Sequence, residues 1–135
     1  MLYITRREHF SSSHTLNNKL LSDEENGQLF GKCNSFHGHN YYLEITIKGE
    51  AETKSGYVMD LKKLKDILHE NIINKVDHKF LNDVDLFKDI NPTIENMAIV
   101  SWNELKDILK GEKYSLYSVK IYETEKNSVI YKGNE

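Results

Sequence analysis

From residue 37 to 47 the odd positions read His37, His39, Tyr41, Leu43, Ile45 and Ile47, and the even ones Asn40, Tyr42, Glu44 and Thr46. This period-two alternation, apolar against mostly polar, predicts a strand with one buried face. Residues 2–12 open with β-branched and aromatic side chains and read as an earlier strand. In residues 116–124, Val119 and Ile121 alternate with Lys120 and Tyr122, and Asn127 leads into a short last strand, residues 128–131, its hairpin partner. Two segments have helical spacing instead. Asp60 can cap a run of Leu61, Leu64, Leu68 and Ile72. Pro92-Thr93 opens another run, with Ile94, Met97, Ala98, Trp102, Leu105 and Leu109; Thr93 suits the N-cap, Glu95 the first turn and Gly111 the stop. The order is strand, strand, helix, helix, strand, strand. Helices on one face of an antiparallel sheet make an α+β domain. Residues 16–31 are polar around Asp23-Glu24-Glu25-Asn26-Gly27 and read as a loop, long enough to be functional.

The 135 residues fit one domain, 1–135, with no repeat, linker or low-complexity tract. Lys plus Arg number 18 against 21 Asp plus Glu, a net charge of −3 that speaks against a nucleic-acid partner. No apolar run reaches the roughly 20 residues needed to cross a bilayer, so no membrane partner is expected. Residues 1–6 lack the basic and apolar regions of a secretory signal. Cys33 is the only cysteine, so no internal disulfide can form, and a reducing cytoplasm is the expected compartment.

His37-Gly38-His39 carries the strongest chemical signal. Residues two apart on a strand share a face, so both imidazoles point the same way and can ligate one metal ion. His14, at the end of the first strand region, is the natural third ligand, and three ligands with an open position make a catalytic zinc site. Two ordinary histidines at a strand entrance remain the plain alternative. Cys33 lies four residues before His37. It can be a reactive thiolate, a small buried hydrophobe or a fourth zinc ligand closing a structural site. Asp77-His78 pairs a carboxylate with an imidazole, the makings of a general acid or base. Neighbours in an extended chain seldom bond side chain to side chain, so the pair can serve a third group, or be a polar loop. Glu123 shares the phase of Val119 and Ile121, where an apolar residue is expected. An inward carboxylate needs a partner, such as a ligand with two parallel N–H donors; otherwise the strand has already reached solvent. His69 reads as a solvated helix residue, and Lys62, Lys63 and Lys65 as an exposed face. His9 has the parity opposite to His14, which sets it apart from that site.

Six motifs in order resemble one family over essentially the whole chain. They are Phe10-Ser-Ser-Ser-His14, Cys33-Asn-Ser-Phe-His37-Gly-His39-Asn-Tyr41, Gly56-Tyr-Val-Met-Asp60-Leu, Asp77-His78-Lys-Phe-Leu81-Asn82, Pro92-Thr93-Ile-Glu95-Asn96 and Val119-Lys-Ile-Tyr-Glu123-Thr124. The family is that of the 6-pyruvoyl- and 6-carboxy-tetrahydropterin synthases. The resemblance implies a tunnelling (T-) fold, a four-stranded antiparallel sheet carrying two helices. Three chains then close a twelve-stranded barrel, and two trimers stack as a homohexamer. It implies Zn²⁺ on His14, His37 and His39, and 7,8-dihydroneopterin triphosphate as the small-molecule substrate, converted by a carbon–oxygen lyase with loss of triphosphate. Cys33 is then the proton-abstracting residue, assisted by His78 and Asp77; Glu123 anchors the pterin, and Thr93 helps line its pocket.

Two branches of the family fit. The three residues between Cys33 and His37 resemble the 6-carboxy enzymes of the queuosine (7-deazaguanine) pathway, whereas Leu29-Phe-Gly-Lys-Cys33-Asn34 and the tail from Tyr122 to Gly133 resemble the 6-pyruvoyl enzymes of the tetrahydrobiopterin pathway. The spacing acts at the catalytic residue, so the 6-carboxy product is the expectation and the 6-pyruvoyl product the alternative. A non-catalytic protein with a closed zinc site of Cys33, His14, His37 and His39 is the competing class.

Overall fold

A computed structural model describes residues 1–134. The elements run β1 (Leu2–His14), α1 (Asp23–Phe30), β2 (His37–Gly49), α2 (Leu61–Leu68), α3 (Asn74–Val76), β3 (Lys79–Phe80), α4 (Ile94–Leu105), β4 (Tyr114–Tyr122) and β5 (Ser128–Tyr131). The sheet order is β3-β1-β2-β4-β5, with β3 parallel to β1 and the other pairs antiparallel. The expected sheet had four strands. The fifth, β3, pairs Lys79 and Phe80 with Ser12 and Ser13, and two residues are too few to leave a periodic signal. The ladder between β1 and β2 runs unbroken from Leu2↔Gly49 to His14↔His37.

The alternation in β2 sets the layers. Tyr41, Leu43, Ile45 and Ile47 are fully buried, and they share one apolar cluster with Phe10, Leu64, Leu68, Met97, Ala98 and Leu105. Burial of each such large side chain contributes about 1.5–3 kcal/mol, and the cluster fixes α2 and α4 on that face of the sheet. The other face stays open: Tyr3, Tyr42 and Ile130 are exposed there, and the Arg7 guanidinium lies 4.0 Å from the centre of the Tyr42 ring.

Helix starts follow the sequence. The Asp60 carboxylate accepts from Lys62 N at 2.9 Å, and Thr93 Oγ1 accepts from Asn96 N at 3.2 Å. α4 ends at Leu105, earlier than the apolar spacing suggests, and Leu109 stays buried in the turns that follow. α2 runs into a π-helical turn, His69–Ile73, whose Asn71 side chain donates to Ile67 O at 2.8 Å. His69 is not free in solvent as expected. That turn brings its Nε2 within 3.0 Å of Glu8 Oε2, and Arg6 Nε holds the other oxygen of Glu8 at 2.8 Å.

The polar segment between β1 and β2 also departs from the expected loop, because it contains α1. Ser22 and Glu25 cap its start reciprocally, each side chain bonding the other's backbone N–H. Its buried residue is Asn26, whose amide nitrogen lies within reach of the carbonyls of Asn18, Leu21 and Ser22 and whose oxygen accepts from Asn18 N. This helix is anchored by amide hydrogen bonds and has no apolar stripe to reveal it.

Candidate active site

The β1–β2 ladder places His14 directly opposite His37, and strand alternation brings His39 onto the same face. One ligand nitrogen from each of the three lies within 4.8 Å of the others, an arrangement that could hold a metal ion. Gly38 between them admits close approach: a Cβ there would stand 3.2 Å from Ser12 O. His14 is fully buried and the other two are partly covered.

The outer nitrogens set the ring states. His14 Nδ1 is 2.8 Å from Pro92 O, and His37 Nδ1 is 2.7 Å from Ser35 O. A carbonyl only accepts, so both Nδ1 atoms carry the proton and both Nε2 atoms present lone pairs. Those two Nε2 atoms face each other at 2.9 Å. Facing lone pairs repel unless a cation lies between them. Tetrahedral zinc at 2.0–2.1 Å from each nitrogen needs them roughly 3.3 Å apart, so a small relaxation admits the ion. Burial pushes the His14 imidazolium pKa down to about 4, helped by the nearby His37 and His39 rings and opposed by the Pro92 hydrogen bond. His39 is lowered as well, mainly by burial, against the charge of Glu123. Both shifts favour the neutral, ligating form.

Tyr41 lies beneath the trio. Its ring stacks on Phe10, and burial, with the Glu123 charge, pushes its phenol pKa far up.

Glu123 follows the end of β4, with its Oε2 3.9 Å from His39 Nε2. It is half-buried and neither fully inward nor fully solvated. A cavity of about 990 Å³ joins Glu123, His39, His78, Ser11, Arg7 and Lys79 among its walls. Sequence pattern singles out the first three; it does not single out Arg7 or Lys79, whose only signals are a polar strand phase and the neighbouring His78.

Asp77 and His78 do touch, contrary to the expectation for an extended pair. His78 has a left-handed backbone, φ 59°, which turns its ring back until Nδ1 is 3.0 Å from Asp77 Oδ1. The same oxygen accepts from Ser11 N at 3.0 Å, and His78 N donates to Ser11 O at 2.7 Å, so both residues are pinned to β1. The Ser11 N–H, followed by His78, holds the Asp77 carboxyl below its usual range. The His78 side chain remains 83% exposed, its other nitrogen unencumbered by Asp77.

Cys33 lies in a 3-10 turn, Gly31–Asn34, and is exposed. Leu16 N donates to its carbonyl at 2.8 Å, tying the turn to the segment just after His14. Its sulfur belongs neither to the histidine group nor to the cavity wall among the described residues. The buried-hydrophobe alternative therefore fails on exposure, and the closed four-ligand site lacks its fourth ligand. Thr93 also lies off the cavity wall; as the cap of α4 it follows Pro92, whose carbonyl orients His14. His9 is exposed on the opposite face, against Tyr42, as its parity requires.

Known proteins resemble this chain in sequence and in fold. The chain is 50% identical over 131 residues to a 6-pyruvoyl tetrahydrobiopterin synthase of Dictyostelium discoideum, covering 96% of this chain and 95% of that one. It is 47% identical over 133 residues to the Homo sapiens enzyme of the same name, covering 96% and 90%. The structure of Caenorhabditis elegans 6-pyruvoyl tetrahydropterin synthase superposes with a TM-score of 0.90 at 41% identity, over 98% of this chain and 96% of that one. The architecture is thus the T-fold that the resemblance implied, with β3 as an added edge. A family model described as 6-pyruvoyl tetrahydropterin synthase matches residues 3–134, and the chain belongs to that family.

Proposed function

We propose that the protein is a zinc-dependent 6-pyruvoyl-tetrahydropterin synthase, which converts 7,8-dihydroneopterin triphosphate with loss of triphosphate. Membership of the family makes it an enzyme of the carbon–oxygen lyase type. The observation that carries the metal is the pair of lone-pair nitrogens facing each other at 2.9 Å, with His39 completing the trio. The product follows the relatives. The spacing of Cys33 and His37 favoured the 6-carboxy branch, but relatives at 47–50% identity across nearly the full chain bear the 6-pyruvoyl name, which supports the alternative instead.

In this reading His14, His37 and His39 hold the zinc, which when bound supplies Lewis-acid stabilisation to oxygens of the substrate side chain. Glu123 accepts two parallel pterin N–H donors, the bidentate partner that a half-inward carboxylate calls for. Cys33 takes a carbon-bound proton, and exposed His78, oriented by Asp77, carries it onward. Thr93 supports the site through the Pro92 carbonyl on His14. The open sheet face with Tyr3, Tyr42 and Ile130 supports closure of three chains into a twelve-stranded barrel, and two such trimers into a homohexamer. A lone, exposed Cys33 with no disulfide suits a reducing cytoplasm.

Incubating zinc-loaded protein with dihydroneopterin triphosphate tests the proposal. Triphosphate release with a 6-pyruvoyl product by mass spectrometry is the expected result. A 6-carboxy product reinstates the other branch. Equal inertness of wild type and Cys33→Ala with zinc retained points to a non-catalytic metal protein.

A further inference from the structure

Thr15 and Leu16 run on past the end of β1, beyond the last ladder pair, yet all four of their backbone polar groups are bonded. The Thr15 N–H donates to Asn82 Oδ1 at 2.9 Å, and Asn82 Nδ2 donates to the Thr15 carbonyl at 2.9 Å. The Leu16 N–H donates to the Cys33 carbonyl at 2.8 Å, and Asn34 Nδ2 donates to the Leu16 carbonyl at 2.9 Å. Thr15 is thus tied to the 3-10 turn that follows β3, and Leu16 to the 3-10 turn that precedes β2. A side-chain amide carries both a donor and an acceptor, so Asn82 alone satisfies both groups of Thr15.

Leu16 is two residues from His14, so whatever fixes Leu16 also places Cys33 against the histidine trio. The bond to the Cys33 carbonyl is a single point about which the turn can swing. Asn34, the neighbour of Cys33, adds a second bond to the same residue and removes that freedom. Asn82 holds the Thr15 end at two points, so the joint itself stays in place.

We propose that Asn34 and Asn82 are positioning residues, whose amides splint Thr15 and Leu16 and so hold the Cys33 turn at a fixed place relative to His14, His37 and His39. This rests on the reading of Cys33 as the proton-abstracting group. Misplacing a reacting group by about 1 Å can cost about 10²-fold in rate, so a few bonds behind it are enough to matter.

Asn34→Leu and Asn82→Leu keep the branching and approximate size of the side chain, add no charge and remove the amide. The probe is dihydroneopterin triphosphate, with triphosphate release as the rate, metal analysis for bound zinc and amide hydrogen exchange by NMR. Each variant is expected to lose about 10–100-fold in kcat, with KM within about threefold and zinc content unchanged. The Leu16 amide should exchange faster in Asn34→Leu, and the Thr15 amide in Asn82→Leu. In a Cys33→Ala background the same substitutions are expected to cost no further rate, because the turn then carries no thiol to misplace. Unchanged kcat in either variant overturns the proposal. So does a loss that recurs in full beside Cys33→Ala, which marks a general weakening of the fold, and so does loss of zinc together with kcat. Wild-type turnover by Cys33→Ala refutes the role of Cys33 itself. If neither variant folds, wild-type exchange decides: Thr15 and Leu16 amides protected as well as those of the β1–β2 ladder support the proposal, and exchange at the rate of an open loop overturns it.

Discussion

The histidine trio and the proposed acid–base groups are held in opposite ways. His14, His37 and His39 project from paired strands, and two of them have their outer nitrogens tied to backbone carbonyls. Cys33 and His78 stand exposed, one in a 3-10 turn and the other on a left-handed residue beside a two-residue strand. The three imidazoles are preorganised by the sheet ladder. The proposed proton-handling groups are tethered by a few hydrogen bonds near the C-terminal end of β1, to Ser11 within it and Leu16 just beyond it. Substitution should therefore separate the two sets cleanly.

The largest effect is expected at the ladder. His37→Ala leaves His14 and His39, too few for a stable catalytic site, and should abolish both stoichiometric zinc and activity, as read by metal analysis beside triphosphate release. Cys33→Ala should cost about 10²–10⁴-fold in turnover while zinc content stays at wild type, since loss of a proton-transfer group leaves the ladder intact. Glu123→Gln removes a charged acceptor and should weaken pterin binding by roughly 10–100-fold by calorimetry, with zinc unchanged. Unaltered pterin affinity would remove Glu123 from the binding role. Asp77→Asn is the smallest. The folded pKa of Asp77 is depressed, so its contribution to stability is present above the ordinary carboxylate range and fades as pH falls through the lowered value. Wild type should be more stable than Asp77→Asn in urea at pH 7, and the gap should shrink at pH values around 3. A gap independent of pH would mean that the charge does not act as described.

The same contrast explains what the sequence revealed. Alternation in β2 exposed the phase of His37, His39 and Tyr41, and parity set His9 apart from His14, because strand geometry is strictly periodic; His14 itself was suggested by its place at the end of the first strand region. Glu123 was legible as a phase anomaly. α1 was not: its capping pair Ser22 and Glu25 is written in the chain, but the residue it buries is Asn26, so apolar spacing gave no hint. The Asp77–His78 contact was hidden because it depends on a positive φ at a residue with a Cβ, which periodicity does not report. The His69–Glu8 pair needed the π-helical turn, again a departure from regular spacing.

The pairing of His14 with His37 also sits at the root of the excursion formed by residues 15–36, since the one closes β1 and the other opens β2. An ion shared between them, as proposed, would act as a clasp across the neck of that excursion, shortening its effective span as a cross-link would. Stripping the ion should let α1 and the Cys33 turn breathe together, so that protease nicking there doubles as a gauge of occupancy.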